Sequence, residues 1–144
     1  MKIDDVDLGI LKLLEENGRT PNNVIAKKMS LSEGTVRNRI KKLSDNHLLR
    51  VKGLTNPNVR TDRQLIYILA KIPLHKEWDA TAKRIAQIPD VKAVSMLTGR
   101  FDALIEVFIE PYKLFQFLNE RMSEIPNVVS TESMIAVRTY KKWV

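Results

Sequence analysis

Apolar residues at helical spacing mark the first third of the chain. A first helix is predicted from Asp4 or Asp5 to about Asn17, because aspartates suit a helix N-terminus. Gly18 is suited to end this helix in the left-handed conformation. One apolar face is formed by Val6, Ile10, Leu13 and Leu14, whereas Leu8 and Leu11 point elsewhere. These two extra leucines either contact a second element or a second subunit, or they widen a single core face.

Two shorter segments follow, and the second of them is basic. Residues 22–29 carry a short apolar pattern that begins after Thr20-Pro21, with the proline near the first helical position. Ser30-Leu31-Ser32 make a three-residue connection, and Ser32 is suited to cap the next helix. Residues 32–43 then form an apolar stripe at i, i+4 and i+7, which consists of Val36, Ile40 and Leu43.

The opposite side of residues 32–43 carries hydrogen-bond donors and positive charge. Glu33 stands at the positive end of the helix, and we expect no acid beside the cations that follow it. Arg39 lies near the edge of the apolar stripe, so we expect it to pair with a carboxylate of the first helix rather than with a base. Two short helices joined by a tight turn are typical of a helix-turn-helix; the alternative is an ordinary helical corner with a solvated charged face. The outward residues are Gly34, Asn38 and Lys41, flanked by Arg37 and Lys42.

A basic connector follows the third predicted helix. Residues 44–47 read as a turn, in which His47 has a capping or solvent role, and residues 48–54 alternate loosely as in a strand. Thr55-Asn56-Pro57-Asn58 ends that pattern. The connector is either a wing that contacts the DNA backbone or a solvated linker. Its cations are Arg50, Lys52, Arg60 and Arg63.

The second half of the chain contains an internal repeat. The sequence I-P-D-V at residues 88–91 returns as I-P-N-V at residues 125–128, and Pro73 is matched by Pro111. Each copy predicts a strand, a helix that ends at Ile-Pro, and a second strand. The strands are residues 65–72, 91–98, 103–109 and 129–137, and the helices are residues 76–88 and 112–125. This βαββαβ order predicts a ferredoxin-like antiparallel sheet with both helices on one face.

The predicted sheet needs cover on both faces. Strand residues such as Leu65-Ile66-Tyr67-Ile68-Leu69 are apolar on both sides, so a monomer would expose an apolar patch. We expect two copies to dimerise through the face that the helices leave bare. The residues expected to cover the other face are Ala80, Ala82, Ile85, Ala86 and Ile88 in one helix and Leu114, Phe115, Phe117, Leu118 and Met122 in the other.

Composition narrows the class of protein. The chain has 144 residues, 44% hydrophobic and 28% charged, with a net charge of +7. Residues 1–64 hold 13 basic and 8 acidic residues, against 11 and 9 in residues 65–144, so the positive excess lies in the half with the basic helix, as a phosphate-binding surface requires. We expect no membrane span and no signal peptide, hence a cytoplasmic protein. No cysteine is present, which excludes disulfides and thiolate metal sites.

An enzyme is not favoured by the sequence. His47 and His75 are far apart, and no P-loop, H-E-x-x-H or G-x-S-x-G motif occurs. Arg100 with Asp102 would suit a zwitterion, but no nucleophile and base pair with them. An RNA-binding sheet is set aside because residues 99–104 lack the aromatic pattern that such a sheet needs. We expect neither a cofactor nor a metal.

Five motifs resemble those of the Lrp/AsnC family of feast/famine regulators. The family opening L-D-x-x-D-x-x-I-L-x-x-L is similar to residues 3–14, and N-A/G-R to residues 17–19. The turn pattern L/I-A-x-x-V/L-x-L/V-S resembles residues 25–32, and the helix S-x-x-T-V-x-x-R-I-x-x-L resembles residues 32–43. G-x-Y/F-D is similar to Gly99, Phe101 and Asp102. The chain departs from the family where Ser30 and Asn46-His47 replace usual glycines, and the linker lacks the glycine that usually precedes the first effector strand.

The resemblance implies a winged helix-turn-helix domain, a β-linker and a βαββαβ effector domain, here residues 1–48, 49–64 and 65–144. It also implies homodimers that assemble into tetramers or octamers, with an amino acid or related small molecule bound between dimers near the glycine loop. The effector itself, the operator, and activation as opposed to repression do not follow from it. The implied effector-binding residues are Met96, Thr98, Gly99, Arg100, Phe101, Asp102 and Ser133.

These observations predict a ligand-responsive transcription regulator that binds a near-palindromic DNA site as a dimer. The alternative is an architectural, chromatin-like protein with broad sequence preference. Base edges would be read by Arg37, Asn38 and Lys41, and phosphates contacted by Thr20, Ser32, Thr35 and Lys42.

Overall fold

The computed structural model describes residues 2–73 and 77–144. The chain forms two compact units that divide between Gly53 and Leu54, inside the segment 49–64 predicted as a linker. Each unit has its own hydrophobic core. His75 and the predicted helix start at Lys76 lie outside the described residues.

Three helices make up the N-terminal unit, namely α1 (Asp5–Glu16), α2 (Asn22–Met29) and α3 (Glu33–Asp45). Asp4 caps α1: its carboxylate accepts the backbone N–H of Asp7, while the Asp7 carboxylate accepts the backbone N–H of Asp4. Both exchanges satisfy amides that a helix start leaves unpaired. The order of helices and the three-residue connection between α2 and α3 confirm the predicted helix-turn-helix.

The core of this unit lies between the apolar faces of the three helices. Leu11 packs against this core, whereas the side chain of Leu8 is 56% exposed. One of the two extra leucines of α1 therefore widens the core face, and the other faces solvent in the single chain. The buried apolar residues are Ile10, Leu14, Ile25, Ala26, Val36 and Leu43.

The ends of the helices differ from expectation in three places. The chain leaves α1 at Asn17 in an extended conformation, so the prediction that Gly18 is a left-handed cap is wrong. The reason is that the Asn17 carbonyl accepts the N–H and hydroxyl of Thr20, which closes the turn without a left-handed residue. Pro21 is the N-cap of α2 rather than its first residue. Helix α3 continues through Asp45, two residues beyond Leu43.

The described residues between α3 and the first strand of the sheet contain no strand, so the strand predicted at residues 48–54 is wrong. A strand persists where a neighbour exchanges backbone hydrogen bonds with it, and residues 48–54 are paired with none of the four strands of the described sheet. Leu49 instead packs against the three-helix core, and the N–H groups of Leu48 and Leu49 both donate to the Leu43 carbonyl. The predicted wing and β-linker are irregular chain here, apart from the 3₁₀ turn Pro57–Val59 and Gln64, the first residue of the first strand.

The C-terminal unit has the predicted βαββαβ order. The strands are β1 (Gln64–Lys71), β2 (Val91–Met96), β3 (Ala103–Ile109) and β4 (Ser130–Ile135), and they lie in the order β2-β3-β1-β4 with every pair antiparallel. Helix α4 is Trp78–Ala86. The second helical segment, α5, has three consecutive parts: the 3₁₀ turn Pro111–Lys113, the α turn Leu114–Gln116 and the π turn Phe117–Met122.

Both helices cover one face of the sheet, as predicted. Among the residues expected to make that contact, Ile85, Phe117 and Met122 are buried, but Ala80, Ala86 and Phe115 are exposed. These three lie beside the contact stripes, which run through residues 78, 81, 85 and 88 in the first helical segment and through residues 114, 117, 118, 122 and 125 in the second. Buried Thr81 occupies a contact position instead. The strand residues beneath the helices include Ile66, Ile68, Ala70, Ala103, Ile105 and Val107.

The other face of the sheet, which we call the open face, is only partly covered. Register places Tyr67 opposite Glu106 and Met134, and Leu69 opposite Leu104. Glu132 and Ser95 lie on the same face, opposite Leu69 and Leu104, and the Glu106 carboxylate pairs with Lys142 of the C-terminal segment. Within residues 2–73 and 77–144, we find no helix with the length and apolar character needed to cross a bilayer.

Candidate DNA-binding helix and effector loop

Helix α3 begins at a well-formed cap. The Ser32 hydroxyl accepts the backbone N–H of Thr35 at 3.0 Å and lies 2.8 Å from the Thr35 hydroxyl. This pair holds the first turn of α3 rigid and keeps two predicted phosphate contacts side by side. Thr20, a third predicted phosphate contact, donates its hydroxyl to the Asn17 carbonyl at 2.7 Å.

The outward side of α3 is exposed. Asn38, Lys41 and Lys42 have exposed side chains, and none of the three makes a side-chain hydrogen bond with the described residues. The Arg37 guanidinium donates to the Glu33 carboxylate at 2.7 Å, one helical turn earlier. The expectation that no acid stands beside these cations is therefore wrong for Arg37, because i and i+4 side chains lie together on a helix. Such an exposed pair contributes only about 0.3–0.5 kcal/mol.

Arg39 braces α3 against α1, as the sequence predicted. Its guanidinium lies 2.7 Å from the Asp4 carboxylate and 2.9 Å from that of Asp7. Asp7 is 2% exposed, so this ion pair provides its carboxylate with a cation inside the fold. The hydrogen bond from Arg39 lowers the pKa of Asp4, with the Asp7 backbone N–H adding to the effect, and the two carboxylates raise the pKa of Arg39.

This brace gives the N-terminal unit a defined acid sensitivity. The pKa of Asp4 is lowered from its ordinary value of 3.8, so the stabilisation is present above that pH and is lost as pH falls through the lowered value. Asp4→Asn keeps a capping oxygen but removes the charge. We expect the melting temperature of wild type to exceed that of Asp4→Asn at pH 6, and this difference to shrink as the pH falls below the ordinary value of 3.8 and through the lowered pKa of Asp4. Circular dichroism melts across this range measure it, and a difference independent of pH would contradict the assignment.

A surface crevice of about 420 Å³ lies beside the brace. Three predicted DNA contacts, Thr35, Asn38 and Lys42, line it together with Lys2 and the three residues of the brace, Asp4, Asp7 and Arg39. The fold therefore brings these three contacts of α3 onto one surface, whereas Ser32, Arg37 and Lys41 lie outside the crevice and Thr20 lies before α2.

The loop between β2 and β3 contains the five consecutive residues predicted to bind an effector, residues 98–102. Gly99 has a φ of 133°, a conformation that side chains strongly disfavour. The Arg100 guanidinium lies 5.4 Å from the centre of the Phe101 ring. Residues 98–100 are exposed, and Phe101 and Asp102 are half-buried.

Asp102 ties the loop to the end of β1. Its carboxylate accepts the backbone N–H of Ile72 at 2.8 Å, and its own N–H donates to the Ala70 carbonyl. Lys71, which the sequence analysis missed, donates to the Arg100 carbonyl at 2.9 Å and lies 3.7 Å from the Asp102 carboxylate. Its position at the last residue of an apolar strand was the available signal.

Removing the Asp102 carboxylate leaves the Ile72 amide without its acceptor. We expect Asp102→Ala to lower the free energy of unfolding of the C-terminal unit by about 1–3 kcal/mol, and Asp102→Asn, which keeps an acceptor oxygen, to lose less. Tryptophan fluorescence during denaturant unfolding reports this unit, because both tryptophans lie in it. Arg100→Ala is the matched control and stays within about 0.5 kcal/mol of wild type. If Asp102→Ala and Arg100→Ala lower the free energy of unfolding equally, the hydrogen bond between Asp102 and the Ile72 amide does not stabilise this unit.

Two other predicted effector residues lie apart from each other within one chain. Met96 ends β2, and Ser133 lies in β4, opposite Ile68. Because β3 and β1 separate these strands, three strand spacings of about 4.8 Å, or roughly 14 Å, lie between them. The loop is therefore contiguous in one protomer, while Met96 and Ser133 stay predictions for a site between copies.

A helix-turn-helix with a donor-rich second helix, joined to a four-stranded α+β unit, defines a class of DNA-binding transcription regulators. Family comparison agrees: the model for the AsnC-type helix-turn-helix domain matches residues 3–44, and that for the Lrp/AsnC ligand binding domain matches residues 65–143. The chain belongs to the Lrp/AsnC family. It is a transcription regulator, like its relatives, and not an enzyme.

Individual relatives cover nearly the whole chain. The HTH-type transcriptional regulator LysM of Saccharolobus solfataricus is 31% identical over 140 residues, which are 96% of each chain. The leucine response regulatory protein LrpA of Mycobacterium tuberculosis has the same fold, with a TM-score of 0.78 at 21% identity over 97% of this chain and 96% of that one. The transcriptional regulator NMB0573 of Neisseria meningitidis, solved as its complex with L-Met, gives a TM-score of 0.67 at 24% identity over 98% and 94%.

Proposed function

We propose that this regulator binds a near-palindromic DNA site as a homodimer, with one α3 helix in the major groove of each half-site. The observation that carries this proposal is the outward surface of α3, where Asn38, Lys41 and Lys42 are exposed and Asn38 and Lys42 line the crevice. A rigid cap and the Arg39 brace fix the helix that presents them. Two such helices on a dimer read half-sites about one helical turn apart.

The side chains divide by chemistry. Arg37 suits guanine, Asn38 suits adenine through a bidentate amide contact, and Lys41 adds a further donor to base edges. Lys42 and the hydroxyls of Thr20, Ser32 and Thr35 suit phosphate oxygens, which position a protein without specifying sequence. Arg37 must exchange its Glu33 partner for a base, so we assign the main specificity to Asn38.

The open face of the sheet supports dimerisation. Leu69 and Leu104 are half-buried there, and Met134 is 47% exposed. A second copy on this face would remove apolar surface from water. In this proposal, the dimers assemble further into tetramers or octamers. The regulator acts in the cytoplasm, where it binds DNA, and it needs no cofactor.

We assign the loop at residues 98–102, with Met96 and Ser133, to a small effector bound between dimers, and we choose an amino acid as its chemical class. The match to a ligand binding domain and the L-Met complex of the similar regulator support this choice. Binding at a joint between dimers changes the assembly state and, through it, DNA affinity.

Footprinting tests the DNA-binding proposal. We expect one short protected palindrome, selected from a random duplex library, and a loss of about 1–3 kcal/mol in binding free energy for each mismatch at a contacted base pair. Even coverage of any duplex at the same protein concentration would favour the architectural alternative and overturn sequence-specific regulation.

A thermal-shift screen of the amino acids tests the effector. A ligand that binds only the folded state raises the melting temperature, and we expect at least one amino acid to do so and to change the sedimentation of the protein. If the ligand still raises the melting temperature of Arg100→Ala and of Thr98→Ala, the loop is not the effector site.

A further inference from the structure

The two helical segments of the internal repeat differ in geometry. Core contacts in α4 and the turn after it fall at residues 78, 81, 85 and 88. In α5 and the turn after it they fall at residues 114, 117, 118, 122 and 125. The second copy therefore places two adjacent residues, 117 and 118, against the core.

Helix α5 ends in the π turn Phe117–Met122. A π turn is a one-residue insertion in an α-helix, is rare, and is frequently found at functional sites. The π turn here includes Glu120 and Arg121. The first copy, which lacks the insertion, forms an ordinary α-helix from Trp78 to Ala86.

A pocket of about 200 Å³ lies against this π turn. Ile109 and Phe117 give it an apolar floor, and its charged lining carries both signs: Asp90 and Glu120 against Lys113 and Arg121. A pocket with both signs over an apolar floor suits neither a simple anion nor a simple cation. It suits a molecule with a carboxylate, an ammonium group and an apolar side chain.

Two of the charged groups are available to such a ligand. Within residues 2–73 and 77–144, Arg121 makes no side-chain hydrogen bond or ion pair, and Glu120 is held by the neutral amide of Gln116 at 2.9 Å. Lys113 pairs with Glu110 at 3.2 Å, and Asp90 faces Arg63 at 3.4 Å. Arg121 and Glu120 are therefore the groups that a ligand would engage first.

We propose that this pocket binds a free apolar α-amino acid, with the carboxylate on Arg121, the ammonium group on Glu120 and the side chain on Ile109 and Phe117. This site is separate from the loop at Gly99. The pocket lies at the Ile109 end of β3 and the loop at the Ala103 end, a strand length of about 20 Å. The inference goes beyond the proposed function and does not require an effector at the loop.

Calorimetric titration of the full chain tests the site, with L-alanine, L-valine, L-leucine, L-isoleucine and L-methionine as probes. We expect at least one probe to bind, and Arg121→Gln to weaken that binding about 10-fold or more, since a charge-assisted hydrogen bond is lost. Glu120→Gln has a similar effect. The methyl ester and the N-acetyl form of the probe, which each lack one charge, bind wild type correspondingly more weakly.

The repeat supplies the matched control. Arg84 occupies the position of Arg121 in the first copy, 37 residues earlier, and is exposed. Arg84→Gln removes the same charge from the same unit and leaves probe binding unchanged. Because Arg121 is also exposed, melting temperatures of both variants stay close to wild type and exclude unfolding as the cause.

Two results would contradict the proposal that this pocket is a second amino-acid site. One is that none of the five probes binds. The other is that probe binding is unchanged by Arg121→Gln and Glu120→Gln but lost in Arg100→Ala, which would leave the loop as the binding site and retain the proposed function. Loss of binding in the pocket variants alone, with the response of DNA affinity to an effector intact, supports the second site.

Discussion

Asn38→Ala is expected to reduce affinity for the selected operator by roughly 30-fold or more while leaving affinity for random DNA nearly unchanged. A bidentate amide contact contributes about 1–3 kcal/mol of discrimination, and a dimer loses it in both half-sites. The side chain is exposed and makes no hydrogen bond with the described residues, so its removal leaves the fold intact, and alanine is the better helix former. Electrophoretic mobility shifts with operator and scrambled duplexes measure both affinities.

Two variants separate base reading from charge. Lys42→Ala is expected to weaken operator and random DNA alike and to reduce the salt dependence of binding by about one unit per protomer. Lys12→Ala removes an equal charge from the exposed side of α1 and changes neither affinity appreciably. If Asn38→Ala weakens binding to the operator and to the scrambled duplex equally, Asn38 does not read the base sequence. The proposal that α3 determines specificity through Asn38 then fails.

Arg39→Ala is expected to lower the melting temperature of the N-terminal unit by about 10 °C or more. It leaves the Asp7 carboxylate, 2% exposed, without its cation at 2.9 Å, and an uncompensated buried charge is strongly destabilising. Far-ultraviolet circular dichroism follows the three helices. Tryptophan and tyrosine fluorescence reports the other unit, because all of these residues lie at position 67 or beyond.

The matched control lies two residues away on the same helix. Arg37 also pairs with a carboxylate at 2.7 Å, but both partners are exposed, so Arg37→Ala is expected to change the melting temperature by no more than about 3 °C. Replacing Asp7 by leucine in the Arg39→Ala background removes the stranded charge and recovers part of the loss. Equal effects of the Arg37 and Arg39 variants would show that burial of Asp7 does not matter.

The candidate DNA-binding helix was predictable from the sequence because its information is local. Ser32 marks its start, and the spacing of Val36, Ile40 and Leu43 decides which side is buried. The role of Arg39 followed from its place at the edge of that stripe. The pairing of Arg37 with Glu33 is equally local, because residues at i and i+4 are neighbours on a helix surface.

The loop proposed to bind the effector was only half predictable. Residues 98–102 are adjacent in sequence, so their proximity is certain, but the sequence does not reveal that Asp102 holds the Ile72 amide or that Lys71 supports the loop. Those contacts depend on the register of β1 against β3. Register is set by pairing across the sheet and not by either strand alone.

By itself, the sequence determined the three N-terminal helices, the repeat and the βαββαβ order, because caps, apolar spacing and proline positions act over a few residues. Only the tertiary structure decided that residues 48–54 form no strand, since strands need a partner, and that α5 contains a π turn. The same limit explains why the pocket beside Arg121 is invisible in the sequence. Its charges come from residues 90, 113, 120 and 121, and only the packing of α5 against the turn before β2 brings them around one apolar floor.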